Sequence, residues 1–101
     1  MYDMKKLGNL AALGQHAGEA FQAFQAFDKA AFAAGALSVK QKELIAVAVA
    51  LTTQCAYCIE VHKQKAIAAG ASEAELAETI MVAAAIRAGG AVAHGAHVVG
   101  G

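Results

Sequence analysis

The chain has 101 residues, 58% of them hydrophobic and only 16% charged, and its eight basic and eight acidic residues cancel. That length makes one domain, residues 1–101, large enough for a single core and small enough to be helped by partner subunits. No basic face or tail is present, so nucleic-acid binding is not expected, and the balanced charge gives acidic substrates no steering.

Proline is absent and alanine, the strongest helix former, is the commonest residue. The fold expected is all-α, a compact bundle of five or six helices. Tyr2 to Leu13 reads as a first short helix, weakened by Gly8. His16 to Ala34 reads as a longer one, with Gly35 as its stop. Along it Phe21, Phe24, Phe27 and Phe32 fall within an arc of roughly 140° at about 100° per residue. They predict a single buried stripe belonging to the core or to a subunit interface, with no chemistry of its own. Ser38 is a good N-cap for an apolar helix from Val39 to about Leu51, which Thr52, Thr53 and Gln54 interrupt. A further helix runs from Cys55 to about Ala69 and closes at Gly70. Ser72-Glu73-Ala74-Glu75 is a capping box opening another helix through Ala88. Gly89 and Gly90 are expected to break or kink it before a short segment with His94 and His97.

The Leu44 to Leu51 apolar run is eight residues, well short of the about 20 that a membrane-spanning helix needs. Lys5 and Lys6 precede nothing long enough for a signal core. No membrane partner and a cytoplasmic location are therefore expected. Gly-Ala-Val-Ala-His-Gly near the end lacks the spacing and the preceding strand of a dinucleotide-binding loop, so no flavin or nicotinamide cofactor is expected.

Both cysteines stand in one Cys55-Ala56-Tyr57-Cys58 pair, with His62 four residues downstream and Glu43 twelve upstream. In a reducing compartment such a pair is more often catalytic or metal-binding than a structural staple. Three residues apart at a helix start, the cysteines share a face with Cβ atoms about 5–6 Å apart, near the range where a disulfide closes. The helix N-terminus stabilises a thiolate there. His62 lies one turn beyond Cys58 on the same face, able to exchange a proton with it.

In one straight helix Glu43 would lie about 18 Å from Cys55 at 1.5 Å per residue. If the chain reverses near Thr53 into an antiparallel hairpin, Glu43 and His62 come level. The carboxylate then orients the imidazole, which serves Cys58, an arrangement of orienter, base and nucleophile. The bland readings are a solvated first-turn acid for Glu43 and a surface histidine for His62. Zinc would need a fourth ligand beyond Cys55, Cys58 and His62, from His16, His94 or His97, and no spacing fixes one. Tyr57 reads as packing and Arg87 as a surface charge. His94 and His97 carry no assigned role.

The order Glu43, Cys55, Cys58, His62, with Lys42-Glu43-Leu44-Ile45-Ala46 before the cysteine pair and His62 to Ser72 after it, resembles the alkylhydroperoxidase D core of the carboxymuconolactone decarboxylase superfamily, over roughly Leu37 to Arg87. The resemblance implies an all-helical fold that assembles as a homo-trimer or homo-hexamer. It implies an antioxidant thiol peroxidase reducing small hydroperoxides. Cys58 would attack and become a sulfenic acid, Cys55 would resolve it to a disulfide, and Glu43 with His62 would relay protons. Lacking a cofactor, such an enzyme needs a separate thiol reductant, lipoyl or thioredoxin-like. The longer peroxidases of the family carry a histidine where this chain has Tyr57. The decarboxylases generally lack the cysteine pair, which disfavours decarboxylation here. The alternatives are a thiol–disulfide oxidoreductase and a non-catalytic, metal-binding or redox-sensing helical oligomer.

Overall fold

Serine caps at helix starts and left-handed residues at helix ends divide this alanine-rich chain into its elements. A computed structural model describes residues 2–101, with α1 at Leu10–His16, α2 at Gly18–Phe32, α3 at Val39–Thr53, α4 at Ala56–Ala68 and α5 at Glu73–His94. Two 3-10 turns, Met4–Asn9 and Gly95–His97, flank them, and there is no strand among the described residues. The all-helical bundle expected from composition is the fold observed.

Both expected caps form. The Ser38 hydroxyl accepts from the Gln41 N–H at 3.1 Å while the Gln41 side chain accepts from the Ser38 N–H at 2.8 Å. Ser72 and Glu75 make the same reciprocal pair at 3.1 and 2.9 Å. Each box satisfies two backbone donors that the first helical turn leaves without partners. Lys40 then joins the starts of α3 and α5 through Glu75 at 2.8 Å. Lys40, and next the Ser72 N–H, hold the Glu75 carboxyl below the usual carboxylate range.

The interruption at Thr52-Thr53-Gln54 is a chain reversal. The Thr52 and Thr53 hydroxyls turn back to the Val49 carbonyl at 2.8 and 3.1 Å. Gln54 then adopts the left-handed conformation, φ 58° and ψ 39°. From there the Cys55 N–H reaches the Ala50 carbonyl at 3.1 Å, closing a Schellman-type stop. Gly70, φ 98°, ends α4 the same way, with the Ala71 N–H on the Ala66 carbonyl at 2.9 Å. The α3–α4 hairpin thus has a defined stop at each end of α4.

Two expected helices differ from the sequence reading. The first is split, a 3-10 turn capped by the Asp3 carboxylate on the Lys5 N–H at 3.0 Å, followed by α1. Gly89 and Gly90 neither break nor end α5, which continues to His94. A mid-helix glycine costs about 1 kcal/mol relative to alanine but removes no hydrogen bond. The alanines around the pair keep the helix going.

Small residues bring the three C-terminal helices together. Val47 and Ala50 of α3, Ala66 of α4 and Ala83 of α5 form the buried apolar core, and α3 packs against both α4 and α5. Much apolar surface stays outside that core. The expected phenylalanine stripe is not buried within one chain, since Phe24 is 58% and Phe27 70% exposed. Helix α2 packs on α1 and meets α3, and among the described residues no further layer lies across its outer side. On α5, Met81, Val82, Ile86 and Val92 are also exposed. Residues Glu73–His97 contain an 18-residue stretch of mean hydropathy 1.5 and are long and apolar enough by composition to cross a membrane.

Candidate functional site

The hairpin brings the four singled-out residues into one neighbourhood. Glu43, on the second turn of α3, is 4% exposed, and its Oε2 lies 2.7 Å from Nδ1 of His62 on α4. Its bland reading as a solvated first-turn acid is therefore displaced. A buried carboxylate is costly unless a partner accepts its charge, and His62 supplies that partner. With Glu43 accepting from Nδ1–H, the ring nitrogen left for proton exchange is Nε2. The Phe32 ring stacks on the imidazole, centroids 5.0 Å apart and planes 10° from parallel, so α2 holds the second face of the ring.

Cys55 is the N-cap of α4, its Sγ accepting the Cys58 N–H at 3.2 Å. The two cysteines are joined in a disulfide, with Cα atoms 5.3 Å apart. A sulfur at this position faces the positive end of the helix dipole and a donated N–H, both of which favour the thiolate when the bond is opened.

Cys58 and His62 open into one groove of about 660 Å³. Its floor is a single face of α3, with Lys42, Ile45, Ala46, Val49, Ala50 and Thr53 at helical spacing. Phe27, Ala31 and Phe32 of α2 form its wall. The Phe27 ring, outside the core, thus serves the groove.

Tyr57 faces another neighbour, its ring edge-to-face with Tyr2 at 4.9 Å, as its packing role anticipated. Arg87 donates to the Thr52 carbonyl at 3.2 Å and is exposed, as a surface charge should be. His94 sits beside the Gly90 carbonyl at 2.9 Å, with the His97 ring 6.2 Å away. Sequence reasoning missed Phe32 and Lys42 as site residues. The signal for Lys42 was its place beside Glu43; Phe32 had none beyond its membership of the stripe.

Residues 18–100 match the model of the Carboxymuconolactone decarboxylase family. Among curated proteins, the chain is 51% identical over 87 residues to uncharacterized protein 4 in the cox locus of Paracoccus denitrificans, covering 83% of this chain and 78% of that one. An uncharacterized protein of Haemophilus influenzae is 45% identical over 54 residues, 54% of this chain and 48% of its own length. Among solved structures, the apo crystal structure of a carboxymuconolactone decarboxylase family protein from Legionella pneumophila superposes with a TM-score of 0.77 at 35% identity. That match covers 81% of this chain and 73% of the other.

Proposed function

The chain belongs to the carboxymuconolactone decarboxylase family, and from that premise and the geometry around Cys58 we propose that it is a two-cysteine thiol peroxidase. The observation that carries the reading is the buried Glu43–His62 hydrogen bond on the same hairpin as the Cys55–Cys58 disulfide. A buried acid holding one nitrogen of a histidine, one turn from a cysteine that can be oxidised, is the arrangement thiol activation needs.

The Cys58 thiolate attacks one oxygen of a hydroperoxide; an S–O bond forms and the O–O bond breaks. The leaving alkoxide takes a proton from His62 and departs as an alcohol, with sulfur oxidised by two electrons. Cys55 then attacks the sulfenic sulfur, an S–S bond forms, and water leaves. An external dithiol, lipoyl or thioredoxin-like, returns two electrons by thiol–disulfide exchange. Of the two cysteines, Cys58 lines the groove, so its sulfur is the one an incoming thiolate reaches. Cys55 then leaves as a thiolate at the N-cap, where the Cys58 N–H and the helix dipole stabilise it.

That leaving-group geometry also favours a second reading, a thiol–disulfide oxidoreductase acting on a protein or small disulfide. We further read the exposed apolar faces of α2 and α5 as the surfaces through which copies of the chain assemble into a trimer or hexamer. Ultracentrifugation tests this assembly, and a monomer at micromolar concentration would overturn it. The cycle suits a reducing compartment such as the cytoplasm.

The deciding experiment is the rate at which reduced protein reacts with tert-butyl hydroperoxide, followed by intact mass beside glutathione. Oxidation far faster than glutathione, ending in the Cys55–Cys58 disulfide, supports the peroxidase. Oxidation no faster than glutathione, with rapid exchange toward disulfides, replaces it by the second reading.

A further inference from the structure

We propose that the groove takes an amphipathic hydroperoxide, an acyl chain ending in a carboxylate, and that Lys42 is the residue that selects the carboxylate. The proposal deepens the peroxidase reading and rests on it for the reacting group.

The shape of the groove is the first argument. Its floor follows α3 from Lys42 to Thr53, a run of about 16 Å at 1.5 Å per residue. Its volume of about 660 Å³ falls within the range of dedicated small-molecule sites. Hydrogen peroxide or a short alkyl hydroperoxide would leave most of that length empty. A chain laid along Phe27, Leu37, Ile45 and Val49 would cover it, each buried methylene strengthening binding about fourfold.

Charge is the second argument. A carboxylate entering so apolar a groove needs a cation. Besides His62, already held by Glu43, the groove has one, the half-buried Lys42. Its ammonium donates to the Ala33 carbonyl at 2.5 Å, which fixes the head group at the α2–α3 junction. An ammonium has three donors, so two remain for a ligand. The two ion pairs among the described residues, Lys40–Glu75 and His62–Glu43, leave Lys42 without a carboxylate partner. A cation at one end of an apolar trough, with a redox-active sulfur farther along, fits a substrate that is anionic at its head and oxidised along its chain.

The test compares linoleic acid hydroperoxide with its methyl ester, both below their aggregation concentrations, as oxidants of the reduced full-length chain. One charge-assisted contact at a half-open site predicts that the free acid reacts about tenfold faster than the ester. Lys42→Met should bring the acid down to the rate of the ester, and Lys42→Arg should keep the preference. Equal rates for acid and ester in the unaltered protein, both far faster than with glutathione, overturn the proposal, and that comparison does not depend on any variant folding. Calorimetry with dodecanoate and dodecanol on the disulfide form separates this proposal from the peroxidase reading, because neither ligand carries a peroxide. Dodecanoate binding tighter than dodecanol, with the difference lost in Lys42→Met, supports the carboxylate site even if every hydroperoxide reacts no faster than with glutathione. Dodecanoate binding no tighter than dodecanol overturns it even if the peroxidase is active.

Discussion

Replacing Glu43 by Gln keeps the shape of the side chain and removes its charge. In the native chain Glu43 Oε2 lies 2.7 Å from His62 Nδ1, and the acid is 4% exposed, so solvent does little to screen the pair. A hydrogen bond to a charged group contributes about 1.5–3 kcal/mol. If that interaction matters when the imidazole takes the thiol proton and returns it to the leaving alkoxide, its loss slows oxidation of Cys58 roughly 10- to 150-fold, at 1.36 kcal/mol per decade. Rapid mixing of reduced protein with tert-butyl hydroperoxide, quenched by alkylation and read by mass from about pH 5.5 to 8.5, where histidine chemistry falls, gives the rate. A melting curve on the same samples shows whether the fold survives. A Glu43→Gln protein that melts like the parent and oxidises within about twofold of it at every pH would remove Glu43 from the chemistry and leave it a structural role only.

Three further outcomes follow from the same geometry. Cys58→Ser should lose peroxide turnover entirely, whereas Cys55→Ser should stop at a dimedone-reactive sulfenic acid without an intramolecular disulfide; the reverse pattern would exchange the two roles. Phe32→Ala removes the ring stacked 5.0 Å from His62, an interaction of about 0.5–1.5 kcal/mol, and should slow oxidation about 2- to 12-fold. Because the effect acts through the imidazole, hydrogen peroxide should be slowed as much as a bulky peroxide; slowing confined to bulky peroxides would make Phe32 a wall only. Gln54→Gly relieves a left-handed backbone at φ 58°, and after the greater freedom of the unfolded glycine is subtracted the net gain is about 0.5 kcal/mol. Thermal unfolding should shift upward by about 2–4 °C, and a lower midpoint would refute the strain argument.

The parts of the fold legible in the sequence were those set by local chemistry. Ser38 and Ser72 cap helices because their hydroxyls meet backbone donors three residues on; both caps form as read, and Gln41 completes a box at Ser38 that the sequence reading had not named. The reversal at Thr53 was inferable because only a hairpin gives Glu43 a purpose. The placement of Phe24 and Phe27 was not legible, since periodicity identifies an apolar face but not whether the same chain covers it. Gly89 and Gly90 misled because glycine lowers helix propensity without forbidding the helix. Phe32 against His62 depends on how α2 approaches the hairpin, a tertiary fact that no local pattern encodes.

The disulfide closes a loop of four residues within the first turn of α4. In the chain-entropy account a cross-link constrains the unfolded chain in proportion to the logarithm of its loop, and one this short contributes only about 2 kcal/mol. Helix α4, anchored by its left-handed stops on either side, can hold the two sulfurs near each other whether or not they are bonded. Opening and closing the bond therefore leaves the architecture nearly untouched. In the proposed cycle the chain would store an oxidising equivalent at one helix end and surrender it again, with little of the rearrangement that would slow each turnover.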